Sequence, residues 1–386
     1  MNDELAVLFV SHSSGLCGAE RSLLDLIVGL KALNIKPLVL VPARGPLVQA
    51  LEEERIEVVI TPYRGWLTSN EIFLKCAYRA LFNLGVAIHL VGKLKPLAID
   101  LIYTNTVYSP LGGMLSKLLR IPHIWHAREF VHEDLGARYD LGTKLSMRFI
   151  HQTTDKVICN SSAVYHKMVG HIPSEKLVVV YNGLRGSDPH SYIGSGRDFA
   201  PMGEGIKLCV VGTLHEGKGH GDAIRALRVL EKHGLKAELR IVGTGDEKYI
   251  ASLKILAAEL GVAEQIRWEG FLSHTADVYL TSDITLICSK CEAFGRTAME
   301  AMAVGCPVVG TRAGGLPEVI TNELNGLLYP PSDYPALAAQ ILRLINDRKL
   351  YHSISRNAIV TISSRFTLDR YVSEINSIIR KVVIDG

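Results

Sequence analysis

The sequence predicts an α/β protein made of two doubly wound domains, and three observations carry that prediction. Short runs rich in Val, Ile and Leu recur along the chain, helix-length amphipathic segments separate most of them, and 386 residues exceed what one ordinary core organises. Strands that are apolar on both faces belong to parallel sheets covered by helices on either side.

In order, the first run LAVLFVSH leads through a glycine-containing turn into the amphipathic ERSLLDLIVGLKAL. The runs KPLVLVPA, IEVVITPY, IDLIYTNT, HIWHA, DKVICNSS and KLVVVYNG follow, with SPLGGMLSKLLR as a further helix between strands. These make a first domain over residues 1–186. The pattern breaks in LRGSDPHSYIGSGRDFAPMGEG, which is rich in Gly, Ser and Pro and has no periodicity, so residues 187–205 read as a linker. Alternation restarts with IKLCVVGT, AELRIVGTG, QIRWEGF, DITLICS, CPVVGT and NGLLYP, a second domain over 206–365. Residues 366–386, containing TLDRYVSEINSIIRKVVI, read as one amphipathic helix expected to pack back towards the first domain. Ligands are expected at the carboxyl ends of strands, in a cleft between the domains.

With 48% apolar and 21% charged residues, the chain is neither disordered nor fibrous. A net charge of +3 does not call for nucleic acid, and it suits an anionic ligand. Seven scattered cysteines, most within apolar runs, read as buried free thiols in a reducing compartment. MNDELAVLFVSH opens with acidic residues and reads as the first strand of a cytoplasmic protein. No segment holds the roughly 18 uninterrupted apolar residues of a membrane span.

Three loops carry candidate chemistry. In SHSSGLCGAERS, Gly15 and Gly18 would let backbone N–H groups approach an anion at a helix start, although a plain tight turn explains them equally well. In VGTLHEGKGHGDAI, Lys218 lies among glycines just before a helix, which is a phosphate grip or a solvated loop lysine. In CSKCEAFGRTAMEAMAVG, Glu292 lies between a strand and a short helix, and Glu300 falls in the helix's first turn. The amides of Phe294, Gly295, Arg296 and Thr297 would form an anion site there. Alternatively, Thr297 and Glu300 form a capping box, and Glu292 is a solvated loop residue. The Cys-x-x-Cys has no second pair to complete a zinc site.

The segment CEAFGRTAMEAMAVGCPVVGTRAGGLPEVI resembles the signature of the family 4 retaining glycosyltransferases of the GT-B fold. GLCGAERSLLDL, IYTNT, IPHIWHARE, VICNSSAV, VVYNGL and VGTLHEGKG extend the resemblance through nearly the whole chain. It implies two Rossmann-like domains facing each other across a cleft, with the E-x7-E motif gripping a nucleotide-sugar donor. Carried over residue by residue, Glu300 holds the ribose hydroxyls and Glu292 contacts the donor sugar. The amides of Phe294 to Thr297 and the Lys218 ammonium neutralise the diphosphate. His126 faces the sugar from the first domain, with a hydrogen-bonded core histidine as the alternative. Gly15, Gly18 and Thr213 complete the donor side, and Glu20, Asn105 and Arg128 lie on the acceptor side.

The resemblance implies transfer to a glycan or lipid-linked acceptor without cofactor or metal, the chain lacking Asp-x-Asp. It departs from the family at Thr213, where an arginine is common, at Arg185 in place of an acidic residue, and at Cys288 in place of a proline. A peripheral contact with the inner face of a membrane is expected from NEIFLKCAYRALFNLGVAIHLVGKLK, where Lys75, Arg79 and Lys93 share a stripe with Phe82 and Val86. The rival readings are an epimerase-type enzyme of the same fold, a non-catalytic nucleotide-sugar-binding protein and, more distantly, a dehydrogenase.

Overall fold

The computed structural model describes residues 4–68, 73–134, 136–185, 205–272 and 274–385. All but the last residue of the expected linker 187–205 lies outside them. Two compact units divide the chain, Met1–Arg185 with Leu368–Gly386, and Gly186–Thr367.

The first unit is built on strands β1 (Leu5–Val10), β2 (Ile35–Val41), β3 (Glu57–Ile60), β5 (Leu101–Asn105), β6 (His123–Ala127), β8 (Lys156–Cys159) and β9 (Leu177–Val179). They form one parallel sheet in the order β3-β2-β1-β5-β6-β8-β9, with Leu8 opposite both Leu38 and Ile102. A small antiparallel pair, β4 (Leu67–Thr68) with β7 (Arg138–Tyr139), stands apart.

One face of the sheet is covered by α1 (Gly18–Lys31), α2 (Pro46–Glu53) and the C-terminal helix, Leu368–Asp385. In α1 the residues Leu23, Leu26, Ile27 and Leu30 recur at helical spacing and are wholly buried. The terminal helix presents Tyr371, Val372, Ile375, Ile379 and Val382 to the same core. Gly29 is where it approaches α1, because a Cβ there would run into the Val372 side chain. The other face carries α3 (Phe73–Leu94), α4 (Leu111–Leu119), α5 (Gly142–Thr153) and α6 (Ser162–Met168). Asn83, Ala87, Leu90 and Leu94 point α3 inward.

α3 is long and apolar enough to cross a membrane, but its inner side is committed to the sheet and its Asn83 amide bonds the Arg64 backbone. Arg79, expected on an outward stripe with Lys75 and Lys93, turns instead to the buried Asp140.

The second unit holds β10 (Ile206–Val211), β11 (Ala237–Val242), β12 (Ile266–Gly270), β13 (Ile284–Ile287), β14 (Val308–Thr311) and β15 (Leu327–Tyr329). The sheet is parallel throughout, in the order β12-β11-β10-β13-β14-β15. Its helices are α7 (His220–Lys232), α8 (Glu247–Glu259), α9 (Ala276–Thr281), α10 (Arg296–Ala303), α11 (Leu316–Val319), α12 (Tyr334–Asn346) and α13 (Arg348–Arg365). The helix Leu368–Asp385 is therefore α14. Both sheets reverse strand order at one point, between β1 and β5 and between β10 and β13, so the loops leaving those strands flank the natural ligand crevice of each unit.

Candidate functional site

In the second unit, the loops after β10 and β13 meet at the reversal point. The first carries a single 3-10 turn, Glu216–Lys218, ended by Gly219 at φ 66°. A Cβ at Gly219 would overlap the Cys288 carbonyl oxygen, so glycine is required both for the backbone angle and for the approach of the two loops. The Lys290 amide donates to the Gly217 carbonyl at 2.8 Å, and the Lys290 ammonium meets Glu216 at 2.9 Å, zipping the loops together.

Across this seam the Lys218 ammonium lies 2.7 Å from the Glu292 carboxylate. The Ser289 hydroxyl donates to the same carboxylate oxygen at 2.9 Å. Burial alone would push the Glu292 carboxyl up, but Lys218, Ser289 and the nearby His215 outweigh it and hold the group below the usual carboxylate range. A cavity of about 20 Å³ remains, with Lys218, His220, Ser289, Glu292 and Thr297 in its lining. Glu292 is also fixed from behind, because its carbonyl accepts the Gly315 N–H at 2.7 Å and a Cβ on Gly314 would overlap that carbonyl.

The helix after this loop corrects two expectations. α10 begins at Arg296, its N-cap is Gly295 at φ 102°, and no side chain caps it. Thr297 is therefore already inside the helix, so the capping box does not form. Glu300 lies two residues further into the helix than a capping box would place it, where Arg296 Nε donates to one carboxylate oxygen at 2.9 Å and the Tyr279 hydroxyl to the other at 3.2 Å. The Phe294 side chain is buried and packs edge-on against Phe366, so only its backbone belongs to the loop surface. Thr213 is exposed directly after Gly212.

In the first unit, the loop after β1 is organised by Glu20. Its carboxylate accepts from the Ser13 hydroxyl at 2.7 Å and the Cys17 amide at 3.1 Å, and lies 3.1 Å from His12. The expected free amide of Gly15 is already bonded to the Ser13 hydroxyl at 3.1 Å, while Gly18 is exposed at the start of α1. Glu20, expected on the acceptor side, thus shapes the loop.

His126 lies inside β6, fully buried, with Nδ1 2.5 Å from the Tyr103 hydroxyl and Nε2 without a hydrogen-bond partner. Burial, reinforced by Arg128, holds its pKa well below the ordinary histidine value and keeps the ring neutral. It is neither fully satisfied nor open to solvent. Arg128, just past the strand end, donates to Asn105 at 2.6 Å, Asn182 at 2.7 Å and the Tyr371 hydroxyl at 2.8 Å. Asn105 in turn donates to the Ala19 carbonyl at 3.2 Å. Arg128 and Asn105, expected on the acceptor side, tie strand ends to α1 and α14. Beside them, burial and the neighbouring Asp134 push the Glu129 carboxyl up to about 8.

Sequence reading passed over several residues that the fold brings to these sites. His215 caps the Lys218 turn through its Nδ1 at 3.1 Å from the Gly217 amide, and its place two residues before Gly217 was a usable signal. His220 is buried beside Lys218 with neither ring nitrogen hydrogen-bonded, and burial lowers its pKa to about 4. Tyr279 and the Gly314-Gly315 pair carried no local signal, because each acts through a partner distant in sequence, whereas Ser289 meets Glu292 only three residues on.

The sequence profile described as Glycosyltransferase Family 4 matches residues 17–185, and that described as Glycosyl transferases group 1 matches residues 198–361. An uncharacterised glycosyltransferase of Methanocaldococcus jannaschii is 27% identical over 68% of this chain and 70% of its own length. The N-acetyl-alpha-D-glucosaminyl L-malate synthase of Bacillus anthracis is 32% identical over 58% of this chain and 60% of its own, so the match spans less than two thirds of that relative. Among solved structures, HepE of Anabaena, in complex with UDP and glucose, shares the fold at a TM-score of 0.78 and 24% identity, covering 97% of this chain and 99% of HepE.

Proposed function

Because this chain belongs to the family 4 glycosyltransferases, we propose that it moves a sugar from a nucleoside diphosphate sugar to a glycan or lipid-linked acceptor, retaining the anomeric configuration without a metal ion. The observation that carries the reading is the Lys218–Glu292 pair at the reversal point of the second sheet. An ammonium held in a glycine turn beside a helix start is placed to exchange its carboxylate partner for a diphosphate oxygen.

In the proposed reaction the bond between the anomeric carbon and the diphosphate oxygen breaks, and the electron pair leaves with the diphosphate. Lys218 and the amides at the start of α10 stabilise that developing charge. The acceptor hydroxyl attacks from the same face and its proton passes to the departing phosphate oxygen. Glu292, released from Lys218, is free to accept from sugar hydroxyls, and Glu300 from the ribose. His126, neutral and one nitrogen short of a partner, is proposed to orient the sugar from the first unit. Buried thiols at Cys159, Cys209, Cys288 and Cys306 agree with a reducing, cytoplasmic setting.

A thermal-shift panel of UDP, GDP, ADP and their sugars tests the donor side, and the UDP complex of HepE is the reason to begin with uridine nucleotides. A ligand at a hundredfold excess over its Kd raises stability by about 2.7 kcal/mol. Release of nucleoside diphosphate only when acceptor is present marks a transferase. Release without acceptor, or none at all, would turn the reading towards an epimerase-type or binding protein. Activity that survives chelation is expected, and its loss would overturn metal independence.

A further inference from the structure

We propose that the outer surface of α3, α4 and α5 in the first unit is a docking face for an anionic lipid bilayer. The three helices form one layer on one side of the sheet, α3 packing against α4 and α4 against α5. Their inward positions are taken by core residues such as Ala87, Leu90, Leu111, Leu115 and Ile150.

Their outward positions are unusual in two independent ways. The first is apolar exposure. Leu74, Tyr78, Leu81 and Ile88 follow one another at helical spacing on α3, and Leu118 and Leu145 continue the surface on α4 and α5. Leu74 is 75% exposed and Leu81 70%. More than half of the large exposed apolar side chains among the described residues lie on this layer or at its edges. A contiguous patch of this kind on a folded surface marks an interaction site.

The second is charge. Neither Asp nor Glu occurs in Phe73–Leu94, Leu111–Leu119 or Gly142–Thr153, whereas α1 and α2 on the opposite face carry Glu20, Asp25, Glu52 and Glu53. Lys75, Lys93, Lys117, Lys144 and Arg148 are all exposed. Arg79 does not contribute, being paired with Asp140.

Leucines interleaved with cations on helices that contain no acidic residue match a surface that offers hydrocarbon and negative charge together. The lysine stems lie along the apolar level while their ammonium groups reach lipid phosphates. A second copy of the chain fits this surface poorly, since two such faces would bring like charges together. The helices lie on the membrane and do not enter it as a span, because the inner side of α3 is committed to the sheet.

Co-sedimentation of the full chain with phosphatidylcholine vesicles, and with vesicles also containing phosphatidylglycerol, tests the proposal. Binding is expected to the anionic vesicles only and should fall as salt rises. Lys117→Gln or Lys144→Gln should each weaken partitioning about fivefold, the value of one basic residue at such a surface. Leu81→Ser, at an exposed position, should weaken it further without lowering the melting temperature. Equal binding to neutral vesicles, no binding to either, or binding unmoved by these substitutions would overturn the proposal. So would light scattering that shows a dimer dispersed by Leu81→Ser, which would assign the face to a second copy.

Discussion

Replacing Lys218 by Met keeps the aliphatic stem and removes the ammonium 2.7 Å from Glu292. At that separation the gross Coulomb attraction is about 6 kcal/mol for an effective dielectric of about 20. Exposures of 29% and 16% for the two side chains, together with the cost of desolvating them, leave a net value nearer that of a charged hydrogen bond, about 1.5–3 kcal/mol. Ser289 is too weak a donor to replace it. Melting temperature at pH 7 should therefore fall by about 3–12 °C, taking roughly 2–4 °C per kcal/mol for a domain of this size.

The sign of the pH dependence follows from Glu292, whose carboxyl is held below the ordinary range. Its stabilisation is present above the unfolded value of about 4.3 and is lost as pH falls through the lower folded value. The gap between wild type and K218M should accordingly be full at pH 7 and close below about pH 4. If Lys218 also meets the donor, the variant should bind nucleoside diphosphate about 10- to 100-fold more weakly, by the same hydrogen-bond value. Its affinity for the nucleoside should change little. Differential scanning fluorimetry across pH and calorimetric titration measure both effects. A variant that melts like wild type at pH 7, or that keeps its diphosphate affinity, would refute the assignment.

Glu300→Ala removes the shared partner of Arg296 and Tyr279, and is expected to abolish most of the nucleotide-induced thermal shift. A fall in the ligand-free melting temperature with the nucleotide shift intact would reduce Glu300 to a structural role. Arg128→Met strips donors from Asn105, Asn182 and Tyr371 in a buried network and should cost about 3–5 kcal/mol in urea unfolding. A loss below about 1 kcal/mol would show that the network does not hold α14. Gly219→Ala forces a side chain into the Cys288 carbonyl at a positive φ, and should both destabilise the second unit by more than about 1 kcal/mol and weaken nucleotide binding. Wild-type nucleotide affinity in that variant would mean that the seam between the two loops is not part of the site.

The two doubly wound sheets were legible in the sequence because most strands are apolar runs, β11 and β12 with their Glu and Arg residues being exceptions, and the covering helices show their own periodicity. These are local signals, written within a dozen residues. The candidate loops were legible for the same reason, since glycines and a lysine at a strand end constrain the backbone wherever the chain goes next.

The partners of the charged groups were not legible. Lys218 and Glu292 were read separately, one for phosphate and one for sugar, and only the reversal of strand order between β10 and β13 places the two loops side by side. Thr297 and Glu300 had the spacing of a capping box, but the helix starts two residues earlier than that box requires, at Arg296, because Gly295 takes the positive-φ cap. His126 and Arg128 stand two residues apart in sequence. One is inside β6 and the other beyond its end, so the strand boundary sends the first into the core and the second to Asn182 and Tyr371. The sequence by itself determined which segments become strands and helices, since that depends on hydrophobic periodicity along the chain. Which side chains meet was decided only by the tertiary structure, because hydrogen bonds and ion pairs act over about 3 Å between residues the chain holds far apart.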